Sequence, residues 1–99
     1  MYLIYETHTF SEVYKTLTKD EQGWITKIKE QLKIAVTGKI IHFEWFREKK
    51  YLNKRLYFLI DNESRKILLV SFGSKKDQQK IINFIIKNMK ELLSLLKKL

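Results

Sequence analysis

The stretch KRLYFLIDNESRKILLVSFGSKK, residues 54–76, restricts the possible folds more than any other part of the chain. Two apolar runs, 55–61 and 66–72, flank the polar tetrad Asp61-Asn62-Glu63-Ser64, a turn sequence that pairs them as an antiparallel hairpin. Successive side chains of a strand go to opposite faces, so runs that are apolar throughout need cover on both. In a chain of 99 residues that cover comes from helices around one small sheet, which predicts an α+β class and one domain.

The other elements follow from periodicity. Residues 2–7 (YLIYET) read as a first strand, and Phe10, Val13, Tyr14 and Leu17 form the stripe of a short helix. Thr18 and Glu21 make a capping box opening a second helix, which buries Trp24, Ile25, Ile28, Leu32 and Ala35 and stops near Gly38. The two helices form a hairpin. Residues 39–48 alternate as a second strand, with Ile41, Phe43 and Trp45 on one face and His42, Glu44 and Phe46 on the other. KKYLN turns the chain into the hairpin already described. Ser74 and Asp77 read as a second capping box, from which one long helix runs over about 75–97. The predicted order is β-α-α-β-β-β-α with an antiparallel-rich sheet.

Ile82, Ile85, Met89, Leu92, Leu96 and Leu99 keep a 3-4 spacing along that last helix. Its first half, Ile81 to Ile86, is expected to pack on the sheet. The part beyond, with Met89, Leu92, Leu93 and Leu96, is wider than one sheet covers and is expected to meet a protein partner or a second copy.

Composition narrows the chemistry. A hydrophobic content of 44% supports a core despite 31% charged residues. Cysteine is absent, so no disulfide or thiolate chemistry is available, which is compatible with a reducing cytoplasm. MYLIYETHTF lacks the basic start and cleavage site of a signal peptide, and no apolar run is long enough to span a bilayer. His8 and His42 lie far apart with no carboxylate cluster, so no metal site is expected, and His42 reads as an ordinary strand residue. The glycines at 23, 38 and 73 form no phosphate loop, and no G-x-S-x-G element is present.

Against 11 Asp and Glu stand 20 Lys and Arg, a formal charge of +9, which calls for an anionic partner: nucleic acid, an acidic protein or a membrane surface. Arg47, Lys49, Lys50, Lys54 and Arg55 surround the turn before the hairpin, and Lys75, Lys76 and Lys80 begin the last helix. Antiparallel pairing sets Arg55 beside Phe72 and Gly73, so both groups should meet at one edge. A helix start adds free amides there, suiting the edge to phosphate. Tyr51 and Tyr57, if exposed, could stack on bases, with Trp45 a weaker candidate.

With this order of elements, the strand KRLYF and the following LLVSFGSKK resemble the RelE/ParE superfamily of toxins from toxin-antitoxin systems. The resemblance covers residues 40–80 most closely. It implies a β-α-α-β-β-β-α fold, an antitoxin partner and, for the RelE type, cutting of mRNA in the ribosomal A site without metal or other cofactor. In that chemistry the 2′-hydroxyl attacks the adjacent phosphate, leaving a cyclic phosphate and a free 5′-hydroxyl. Arg55 matches the arginine that grips the phosphate, Lys75 a second cation, and Arg47, Lys49 or Lys50 the catalytic lysine; Lys54, Lys76 and Lys80 would contact RNA. The chain departs from the pattern where RelE types carry a late tyrosine and relatives a histidine, since Ile81 stands near that point, and Lys75 replaces an arginine. A ParE-like gyrase inhibitor and a non-catalytic RNA- or antitoxin-binding relative are the alternatives.

Overall fold

The computed structural model describes residues 1–99. Five strands, β1 (Leu3–Glu6), β2 (Lys39–Ile41), β3 (Phe43–Tyr51), β4 (Lys54–Asp61) and β5 (Lys66–Ser74), form one sheet in the order β1-β5-β4-β3-β2. All neighbours are antiparallel except β1, which runs parallel to β5. The expected hairpin is therefore the centre of the sheet. Leu56 through Ile60 and Ile67 through Val70 are buried, as strands covered on both faces must be.

Two separate cores result. Helices α1 (His8–Lys15) and α2 (Lys19–Ile34) cover one face, where Phe10, Ile25, Ile28 and Leu32 meet Leu56, Phe58, Ile67, Leu69 and Phe72. The other face carries α3 (Gln78–Lys87) and α4 (Met89–Lys98), with Ile82, Ile85 and Leu96 on Phe46, Tyr57, Leu59, Leu68 and Val70. The Thr18–Glu21 capping box forms with both of its bonds. A bulge between Tyr57 and Phe58 leaves Val70 as the extra residue on β5 and brings Arg55 opposite Gly73.

Several expectations need correction. The last helix is not continuous: a single 3-10 turn at Lys75–Asp77 precedes α3, and the chain bends at Asn88, whose side-chain amide donates to the Phe84 carbonyl. The bend lays α4 back on the sheet. Leu96, expected at an interface, is completely buried, and Leu92 and Leu93 pack against the same core, while Met89 is half-buried. The Ser74–Asp77 pair is not a capping box, because Ser74 donates to the Asp77 carboxylate and caps no backbone amide. α2 ends at Ile34, before Gly38, since Val36 turns into the core in the extended segment that follows. Gly38 serves β2 instead: at φ +113° it sits where a Cβ would be 2.9 Å from the Glu48 carbonyl. The expected strand at 39–48 breaks at His42, which is exposed at φ 61° between β2 and β3.

Candidate functional site

β3 and β4 are joined by the two-residue turn Leu52-Asn53, which pairs Tyr51 with Lys54, Lys50 with Arg55 and Glu48 with Tyr57. β5 then sets Ser74 opposite Lys54 and Gly73 opposite Arg55. The Lys75 amide donates to the Asn53 carbonyl at 3.0 Å, so the two ends of the hairpin do meet at one edge.

The period of two in β3 and β4 divides the cations between the faces. Lys49, Lys54 and Arg47 belong to the α2 side. Lys54 reaches Glu21 at 2.5 Å and also lies over the Phe72 ring; its hydrogen bond, with that from the Thr18 amide, holds the Glu21 carboxyl below the usual carboxylate range. Lys49 donates to the Thr37 hydroxyl at 2.8 Å, and Arg47 uses Nε on the Glu44 carbonyl. Tyr51 packs its ring on Trp24, with centroids 4.9 Å apart.

Arg55, Lys50 and Glu48 belong to the α3 side. Arg55 Nε lies 3.7 Å from Glu48 Oε2, and Gln78 Nε2 donates to the same oxygen at 3.5 Å. Both side chains are almost out of water, at 13% exposure for Arg55 and 8% for Glu48. Arg55 Nη1 is buried with no hydrogen-bond partner, an unusual state for a charged donor. The pair forms part of the wall of an open cleft of about 330 Å³ lined by Gly38, Lys39, Glu48, Lys49, Lys50 and Arg55. No apolar side chain lines it.

The cleft has the parts for holding an oxyanion: a guanidinium with donors to spare, flanked by lysines. It also carries one carboxylate, Glu48, which can accept a proton. Sequence reasoning missed Glu48, treating it as the polar end of a strand. The available signal was a lone acid among Arg47, Lys49 and Lys50.

Of the other residues singled out in the sequence, Tyr57 is not available for base stacking. It is completely buried, its hydroxyl has no partner, and burial followed by the Glu48 charge pushes its phenol up to about 12. Lys75 and Lys76 are exposed on the 3-10 turn and do not line the cleft. Lys80 borders a different depression of about 470 Å³, an apolar groove with Ile81, Phe84, Leu92 and Leu95. No group of His, Cys, Asp and Glu is arranged to hold a metal ion, and no helix is long and apolar enough to cross a membrane.

No family model matches the chain, and no curated protein matches it significantly. Solved structures do. The isolated E. coli RelE toxin superposes with a TM-score of 0.63 at 13% identity, covering 85% of this chain and 99% of that one. A chain of the intact E. coli RelBE toxin-antitoxin complex gives 0.63 at 15% identity over 75% of this chain and 96% of that one. The RelBE2 toxin-antitoxin complex of Mycobacterium tuberculosis gives 0.58 at 17% identity over 75% and 98%. The chain has the fold of the RelE toxins.

Proposed function

We propose that this protein is a RelE/ParE-superfamily toxin that acts in the cytoplasm as a ribosome-dependent, metal-independent mRNA endoribonuclease, with Arg55 on the scissile phosphate. The observation that carries the reading is the partnerless Arg55 Nη1 beside a cleft lined by lysines, in a fold shared with RelE toxins. A phosphate oxygen supplies what that nitrogen lacks once the guanidinium turns into the cleft that its side chain lines. Lys50, the register partner of Arg55, is the second cation for the pentacoordinate transition state, a role for which Lys75 is less well situated.

The 2′-oxygen attacks phosphorus while its proton passes to Glu48, and the P–O5′ bond breaks as a cleft lysine protonates the leaving oxygen. A 2′,3′-cyclic phosphate and a 5′-hydroxyl result, with no water consumed. Arg47 does not line the cleft and is a weaker candidate for proton transfer than Lys49 or Lys50, which do.

The partner is an antitoxin. Solved RelE relatives occur with RelB, and the apolar groove beside Phe84 and Leu95, which are 57% and 43% exposed, can take an amphipathic segment whose acidic side meets Lys80. Purified protein added to a cell-free translation reaction should give codon-phased primer-extension stops that disappear with Arg55→Ala. Intact mRNA together with DNA breaks linked to gyrase would replace this reading with the gyrase inhibitor.

A further inference from the structure

At the free corner of the sheet, beyond the point where β3 stops pairing with β4, three consecutive features form a ledge. Phe43 and Trp45 lie ring on ring, 4.9 Å apart and 9° from parallel. The His42 ring stands edge-on to Phe43 at 6.5 Å, and its positive φ turns the chain so that Phe43 comes opposite Ile41 across the β2-β3 pair. The ledge is closed on its inner side, where Trp45 packs against the core and stacks on buried Phe46 with centroids 6.0 Å apart, and is open at its outer side, where Phe43 is 38% and Ile40 47% exposed. Phe43, the outer ring of that stack, is left partly open to water, a site that suits a flat partner.

The surroundings say what that is. Along β2 the ledge leads past Ile40 to Lys39, which lies opposite Glu48 in the cleft, while Arg47, opposite Ile40, stands on the α2 side of the same edge. Arg47 spends only Nε on protein, at the Glu44 carbonyl, so its terminal nitrogens are free for phosphate. Glu44 is the single acid between residues 39 and 47. At about 3.3 Å per residue, Phe43 and Glu48 are roughly 17 Å apart along the strand, a span of a few nucleotides. Flat rings followed by a line of cations form the arrangement that binds single strands by stacking bases and tracking phosphates.

We infer that the His42-Phe43-Trp45 ledge is a base-stacking platform that holds the RNA strand on one side of the phosphate held in the Arg55 cleft. The inference rests on the nuclease reading for its second half, but binding at the ledge is measurable without cleavage. Fluorescence anisotropy of a labelled single-stranded oligoadenylate, titrated with full-length protein, tests it.

Phe43→Ala and Trp45→Ala should each weaken binding about tenfold, the usual loss for one stacking ring. Phe43→Leu, which keeps an apolar side chain but no ring face, should lose as much, and both Phe43 variants should keep the wild-type melting profile, whereas Trp45→Ala, which also removes packing on the core, should melt earlier. The Phe43→Ala loss should persist in an Arg55→Ala background, so failed cleavage with intact ledge binding condemns the nuclease reading alone. Wild-type affinity in Phe43→Leu overturns the inference. So does a concentration-dependent self-association that Phe43→Ala abolishes while RNA affinity stays unchanged, which would make the ledge a contact between copies.

Discussion

Replacing Glu48 by Gln tests the Arg55 cleft through stability rather than activity. The carboxylate and guanidinium are 3.7 Å apart and nearly buried. Their attraction at an effective dielectric of about 20 is roughly 4 kcal/mol. Gln avoids the desolvation of a buried charge and still offers Arg55 a carbonyl, which returns about half of that. A net loss of about 2 kcal/mol is expected, a substantial share of the roughly 5–15 kcal/mol that holds a domain together. Equilibrium urea unfolding followed by tryptophan fluorescence measures it. The second expectation is the sharper one: an oxyanion should take the place of the missing carboxylate. Phosphate at about a hundred times its Kd would restore roughly 2.7 kcal/mol, whereas chloride at equal ionic strength would not. A loss below about 0.5 kcal/mol, or a loss that phosphate and chloride relieve equally, would refute the view of Arg55 as a donor waiting for an oxyanion.

Other consequences are simpler to read. Tyr57→Phe removes a buried hydroxyl with no partner and should be neutral to stabilising, by up to about 1 kcal/mol in the same urea assay. Leu96→Ala should cost about 2–4 kcal/mol because α4 is docked through a completely buried side chain; a free α4 would show almost no loss. Gly23→Ala, exposed on α2 with nothing within 4 Å of the new Cβ, should raise stability by about 0.5–1 kcal/mol, whereas Gly38→Ala, at φ +113° and against the Glu48 carbonyl, should lower it. Acid should destabilise the fold through two carboxylates. Burial raises Glu6, but Lys29 and Ser11 outweigh it and leave it below its ordinary 4.5, and Lys54 and Thr18 lower Glu21 likewise. Their contributions are complete above that value and disappear as the pH falls through the lower folded values, so thermal melts should shift down at acid pH, less so in Glu21→Gln.

The sequence disclosed the fold where a single physical rule applied. Runs apolar on both faces could only be central strands, and Thr18 with Glu21 could only open a helix. The C-terminal helix was misread because a heptad spacing continues through Asn88 regardless of whether the chain bends there. Sequence spacing records which residues are apolar, not whether they fold back on the sheet. At the site, the pairing that brings the two charged ends together was legible, but the division of cations between faces depended on register. A shift of one residue would have exchanged Arg55 with Lys54, and with it the partner, Glu48 or Glu21. Glu48 stayed hidden because only the packed structure shows an acid almost out of water against Arg55.

The most direct measurement is the chemistry of RNA ends after a ribosome paused on a defined codon is exposed to the purified protein. A cut in the A-site codon is expected, with a downstream fragment that carries a 5′-hydroxyl, so that polynucleotide kinase labels it without prior phosphatase treatment. Arg55→Ala, folded as judged by its melting profile, should cut at least a hundredfold more slowly, as expected for removal of a principal transition-state donor. Uncut mRNA, or cutting at the wild-type rate in Arg55→Ala, would contradict the claim that this cleft is a ribonuclease site.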